Sequence, residues 1–117
     1  MVRPSFIYKI ATADVVARSR QEGRFIGMPI DIADGYLHFS TAEQLAETLR
    51  LHFAGQSGLV VFSVPTAAVA DRLKLEPSRG GQLFPHLYGD LAMALIAREA
   101  VVSVPADGAI ALPEWVQ

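Results

Sequence analysis

Residues 34–48 read DGYLHFSTAEQLAET, and His38 stands where a histidine can work. In an extended strand alternate side chains share a face. Leu37 and Phe39 then point one way, and Tyr36, His38 and Ser40 the other, so the second face is built from hydrogen-bonding groups. Imidazole changes charge near neutrality and serves as acid, base or hydrogen-bond anchor. The strand runs into Ser40-Thr41-Ala42-Glu43, which fits a capping box with Ser40 as N-cap and Glu43 reaching back. The free N–H groups of Thr41 and Ala42 at such a helix start suit an anion or phosphate, which the Glu43 charge opposes. A solvent-facing or packed histidine on an ordinary strand fits the same stretch, and the stretch alone leaves both readings open.

Three more residues have the chemistry for a site. His86 and Tyr88 lie in FPHLYG, residues 84–89, where Pro85 stiffens the chain and Gly89 ends it. Rigid irregular backbone is a common carrier of site residues, although the same segment suits an aromatic cluster closing the core. Glu76 ends LKLE just before a glycine-rich turn, where a carboxylate can act as a general base, hold a ribose hydroxyl, or stand solvated. Arg79 in that turn has the fork that grips phosphate. His52 falls at helical spacing beside Leu45 and Leu49 and reads as a packed histidine at the edge of an apolar stripe. There is no Walker loop, no G-x-S-x-G elbow, no H-E-x-x-H and no dinucleotide glycine fingerprint. The scattered histidines lack ligand spacing.

The elements that must position these residues follow from the pattern. Ser5 to Ile10 reads as a strand, and Thr12 as the cap of a helix running to about Glu22 and stopping at Gly23. RFIGMPIDIADG is loop-like, because Gly27, Pro29 and Asp34-Gly35 punctuate it. Tyr36 to Phe39 is a strand. A helix follows with its stripe at Ala42, Leu45, Leu49 and Phe53, ending near Gly55. Leu59 to Pro65 is apolar on both faces and so a central strand. Thr66 caps a short helix holding Val69 and Leu73, and Leu73 to Glu76 alternates as a strand. Residues 82–91 read as irregular, 92–104 carry both helix and strand signals, and AIALP reads as a last strand. Strands and helices alternate only in the first half, which indicates α+β.

The whole chain sets the outer bounds. Its 117 residues suit one domain, 1–117, and 51% apolar residues can build a real core. A net charge of -2 offers no basic patch for duplex nucleic acid. With no cysteine, disulfides, thiolate metal sites and a cysteine nucleophile are excluded. The N-terminal stretch shows no signal-peptide pattern and no run is long enough to span a membrane, so a cytoplasmic protein without membrane partners is expected. Oligomeric state is left open.

IYKI, GYLHFSTAEQLAET and LKLEPSRGGQLFPHLYGDL, in this order and spacing, closely resemble a bacterial family classed as a domain of unknown function, number nine-five-two. The resemblance covers nearly the whole chain, and the patterns G-[FY]-[IL]-H-x-S and F-P-H-L-Y-G are specific together. Val15 or Val16 stands where that family has tryptophan, and Asp90 where proline is usual. Members resemble distant relatives of the ADP-ribosyltransferase fold, which includes the RNA 2'-phosphotransferases. In that fold an early-strand histidine orients the NAD ribose. LHFST is similar to this motif, with Phe39 in place of a common glycine.

The resemblance implies a single α+β domain with an ADP-ribosyltransferase-like split sheet and a cleft lined by Tyr36, His38, Ser40, Glu76, His86 and Tyr88. It implies a transferase-like or NAD-derived nucleotide-binding protein, with a small nucleotide-like molecule as partner. His38 would hold a ribose hydroxyl, Ser40 and the N–H groups after it a phosphate or amide, and Tyr88 would stack on a ring. Glu76, with His86 beside it, would act on an attacking hydroxyl. A non-enzymatic module binding a small metabolite or peptide is the alternative, and a metal-dependent hydrolase using His38, His86 and Glu76 the third reading. On either catalytic reading, His38, Glu76 and His86 should line one cleft and His52 should pack away from it.

Overall fold

A computed structural model describes residues 3–117; Met1 and Val2, which begin the N-terminal stretch read as free of a signal peptide, lie outside them. Six strands form two antiparallel sheets. Strand β1 (Phe6–Thr12) pairs with β3 (Leu59–Pro65), which pairs with β6 (Arg98–Val102). The second sheet has the order β2 (Leu37–His38), β5 (Leu83–Leu87), β4 (Leu73–Pro77). The two sheets touch through one bridge, in which Tyr8 and Ser40 exchange N–H···O bonds of 2.9 and 2.8 Å.

The continuous apolar run of β3 does occupy the middle of its sheet, buried on both faces as expected. One face, with Ile7, Ala11, Val60, Phe62 and Val64, packs on helix α1 (Ala13–Glu22) and on the inner side of the second sheet, Leu37, Phe39, Leu73 and Leu87. The other, with Tyr8, Ile10, Leu59 and Val61, packs on helix α3 (Ala42–Phe53) and on Trp115, Ile110 and Leu112. Leu45 and Leu49 of α3 are fully buried, and each contributes about 1.5–3 kcal/mol relative to exposure.

Four expectations are corrected. Residues 29–34 are a short helix, α2 (Pro29–Asp34), and not a loop: Pro29 has the φ of a first helical position, and the Asp31 carboxylate accepts the Met28 N–H at 2.7 Å. The cap of α3 is Thr41, whose hydroxyl accepts from Gln44 N–H while Gln44 Oε1 accepts from Thr41 N–H at 3.0 Å; Ser40 and Glu43 do not form it. FPHL is strand and not irregular chain: Pro85 lacks an N–H, but its carbonyl accepts from Phe39 N–H at 3.0 Å where the short β2 ladder ends. AIALP packs its apolar side chains without joining a sheet. The segment after Thr66 is a 3-10 turn to Arg72, so Leu73 begins β4, and 92–104 resolve into a 3-10 turn and β6. No described helix is long and apolar enough to cross a membrane.

Candidate functional site

Alternation places Leu37, Phe39, Leu73 and Leu87 on the core side of the second sheet. The opposite side carries Tyr36, His38, Lys74, Glu76, Phe84, His86 and Tyr88. His38 and His86 are register partners in β2 and β5, and their rings lie 5.5 Å apart at 67°. The Tyr36 ring lies 4.6 Å from His38, 4.2 Å from His86 and 5.2 Å from Tyr88. Residues 48 apart in sequence thus meet because an antiparallel pair opposes them.

The two histidines have different surroundings. His86 is buried and its Nδ1 lies 2.8 Å from Glu76 Oε1, which also accepts the Tyr88 hydroxyl at 2.7 Å. The Tyr88 hydrogen bond first, and the His86 one second, hold the Glu76 carboxyl below the usual glutamate range; the same bond raises Tyr88. His86 Nε2 makes no hydrogen bond to protein, and Thr66 Oγ1 is the one sealed side-chain polar atom without a partner among the described residues. His86 Nε2 is therefore left for the cavity.

His38 has carboxylates on both ring nitrogens, Asp31 Oδ1 at 2.7 Å from Nδ1 and Asp34 Oδ2 at 2.9 Å from Nε2. Only the doubly protonated ring donates to both at once. Asp31 is the hub. It accepts from Met28 N–H, His38 N–H, the His38 ring and Lys9 Nζ, the last at 2.9 Å, and is 3% exposed. Burial pushes its carboxyl up, but the His38 hydrogen bonds and the Lys9 charge outweigh this and hold it low. Burial also lowers Lys9, against the attraction of Asp31. Burial raises Tyr36, helped by the charges of Asp34 and Glu76. Gly35, at φ 84, lets the chain reverse after α2 so that His38 returns onto Asp31.

A cavity of about 520 Å³ opens on this cluster, within the usual range for small-molecule sites. Of the expected residues, Tyr36, His38, Ser40 and His86 line it. Glu76 and Tyr88 stand behind that wall, Glu76 through its bond to His86 and Tyr88 through Tyr36, so the expectation that Glu76 faces the cleft is corrected. Ser40 lines the cavity with its hydroxyl 3.2 Å from Thr48 Oγ1, and Thr41 N–H is closed by the cap, so the expected anion site there is spent. His52 is exposed on the last turn of α3 and lines the same cavity, contrary to its expected packing away from it.

Sequence reasoning missed Lys9, Asp31 and Asp34. The signal for Lys9 was present: a lysine between Tyr8 and Ile10 in an apolar strand needs a buried acid. The carboxylates were hidden inside a segment read as loop.

Three solved structures resemble this one over nearly their whole length. The X-ray structure of protein CC0527 from Caulobacter crescentus is 40% identical, with 91% of this chain and 93% of that chain covered at a TM-score of 0.85. A double mutant of it gives the same values, and its solution NMR structure gives 41%, 89%, 90% and 0.79. No curated protein matches the chain. The family model described as a protein of unknown function (DUF952) matches residues 10–104, and the chain belongs to that family.

Proposed function

We propose that the cavity binds the ribose-bearing part of a nucleotide-like ligand, and that His86, oriented by Glu76, is its general base. The observation that carries this is the Glu76–His86 pair opposed to His38 at the cavity wall, with His86 Nε2 unpartnered. A hydroxyl bonded to Nε2 passes its proton there as its oxygen attacks. Glu76 Oε1 accepts from Nδ1–H, keeps the Nε2 lone pair toward the cavity and stabilises the imidazolium that forms. Glu76 is thus a positioning residue. His38 holds a second hydroxyl when it displaces Asp34, the half-exposed partner of Nε2, while buried Asp31 keeps Nδ1 fixed. Tyr36, and not Tyr88, lies on the cavity side for stacking.

This is transferase-like chemistry, and two three-stranded sheets joined at a histidine strand leading into a helix support an ADP-ribosyltransferase-like split sheet. Fold alone does not assign function. NAD fits in part. The N–H groups of Phe39, Ser40 and Thr41 already donate to Pro85 O, Tyr8 O and Gln44 Oε1, so none is free for a nicotinamide amide. An ADP-ribose-like ligand therefore suits the site better than intact NAD. A non-enzymatic binding module is the second reading, favoured by the apolar wall of Ile10, Met28, Ile30 and Phe53. A metal-dependent hydrolase gains no support from the side chains, since no group of three or more His, Asp or Glu among the described residues could hold an ion.

Thermal denaturation with ADP-ribose and with nicotinamide tests the reading. ADP-ribose at a hundred times its Kd should add about 2.7 kcal/mol of stability, lost in His86→Ala and His38→Ala, and nicotinamide should add none. If no ribose-bearing compound raises the melting temperature, the reading falls.

A further inference from the structure

We infer that Arg79 forms an anion subsite in the same cavity, so that the ligand carries a phosphate beyond its ribose; this rests on the ribose reading above. The β4–β5 hairpin tip holds Arg79 in a closed turn, with Ser78 N–H bonded to Gln82 O at 2.9 Å and Gly80 at φ 66. The guanidinium lies 4.9 Å from the centre of the Phe84 ring, and its Nη1 donates to Thr48 Oγ1 at 3.3 Å. Gln44 Nε2 ties the hairpin to α3 through Leu83 O at 2.9 Å. Arg79 is thus fixed on two sides and faces the cavity, beside Ser78 and His52.

Its charge is unspent. No carboxylate lies within 4 Å of Arg79 among the described residues. Glu47, whose carboxyl feels the Arg79 charge, is committed to Arg50 at 2.7 and 2.5 Å. A guanidinium has five N–H donors, of which Thr48 takes one. A cation with open donors in a largely apolar cavity selects an anion that accepts several of them, and a phosphate matches that fork.

The spacing agrees with the ribose reading. Phe84 and His86 share a face of β5, two residues and so about 7 Å apart. A ligand with its hydroxyl at His86 and its phosphate over Phe84 spans the length of a sugar phosphate.

The test is an NMR titration of the full chain with adenosine, AMP and inorganic phosphate, repeated with Arg79→Gln and Arg79→Lys after melting curves confirm folding. AMP should bind about ten- to a hundredfold more tightly than adenosine, the value of charge-assisted hydrogen bonds. Arg79→Gln should collapse that preference and Arg79→Lys keep part of it. Inorganic phosphate should shift the Arg79 side-chain signal. Equal binding of AMP and adenosine overturns the subsite and leaves the ribose reading standing. Phosphate acting at Arg79 without any adenosine binding supports the subsite and removes the ribose reading. A preference that survives Arg79→Gln, or no response at Arg79 to either phosphate compound, overturns the subsite.

Discussion

The two sheets are the same size and pattern, three antiparallel strands each, yet they use their faces differently. Strand β3 of the first sheet is buried on both sides, with Val61 and Phe62 both at 0% exposure. The second sheet buries one side and turns Tyr36, His38, Phe84, His86 and Tyr88 away from the core. A sheet covered on both faces can only be apolar, because each buried polar group needs a partner. A sheet covered on one face is free to carry titratable groups, and its cavity lets them meet a ligand. The first sheet holds the fold; the second presents the chemistry.

The sharpest way to break that division is to cut into each sheet in turn. Phe62→Ala should cost the most, about 3–5 kcal/mol from lost burial and the cavity left behind, read by urea denaturation. The ring packs on Phe25 at 5.3 Å and on Phe39 at 6.4 Å, so the damage reaches both sheets. A loss below 1 kcal/mol would show that the first sheet is not what holds the fold.

Asp31 joins the two regions, since Lys9 belongs to the first sheet and His38 to the second. Its carboxyl is held low in the folded state, so its contribution is present above the ordinary aspartate pKa of about 3.9 and lost as pH falls through the folded value. Asp31→Asn leaves Lys9 buried without its partner and should cost about 3 kcal/mol at pH 7. The variant should also lose less stability than wild type between pH 5 and pH 2, as acid melts would show. An identical acid slope in both proteins would remove Asp31 from the account.

The same contrast explains what was legible in the sequence. Continuous apolar β3 and the 3.6-residue stripe of α3 are patterns of burial, and burial is local in sequence, so both were readable. The polar face of β2 was readable too, because alternation from Leu37 to Ser40 sorts side chains by type. Hidden features depend on partners far along the chain. β5 looked irregular because Pro85 cannot donate, and only its pairing with β2 and β4 makes it a strand. Asp31 looked like a turn residue until Lys9, 22 residues earlier, was placed beside it. Glu76 was expected to face the cleft, and register with Phe84 sets it behind His86 instead.

His38→Ala should cost less than either change above. The ring bridges two carboxylates, so about 1–3 kcal/mol is expected for hydrogen bonds to charged groups. Ligand-induced stabilisation should vanish entirely. Retained ligand response would place the ligand elsewhere and break the link between the second sheet and binding.

Glu76→Gln should have the smallest effect on stability and the most specific one on chemistry. The glutamine keeps the shape and can still meet both neighbours, but it cannot act as a pure acceptor for His86 Nδ1–H and Tyr88 O–H together as the carboxylate does. The tautomer of His86 should then lose its bias, with Nε2 protonated in a share of molecules and unable to accept. Nitrogen NMR of the imidazole reads this directly. Wild type should show Nδ1 protonated and Nε2 bare, and the variant a mixture. If turnover of a ribose substrate is measured, kcat should fall while KM changes little, because the proton moves only on the way to the transition state. The pH profile supplies a control that a structural role would not reproduce. With its hydrogen bonds from Tyr88 and His86 the Glu76 carboxyl stays ionised below the ordinary glutamate range, so the Nδ1 partner should survive to mildly acid pH in wild type and be absent at every pH in the variant. An unchanged His86 tautomer in Glu76→Gln would show that register, and not the carboxylate, sets the ring, and the second sheet would lose its base.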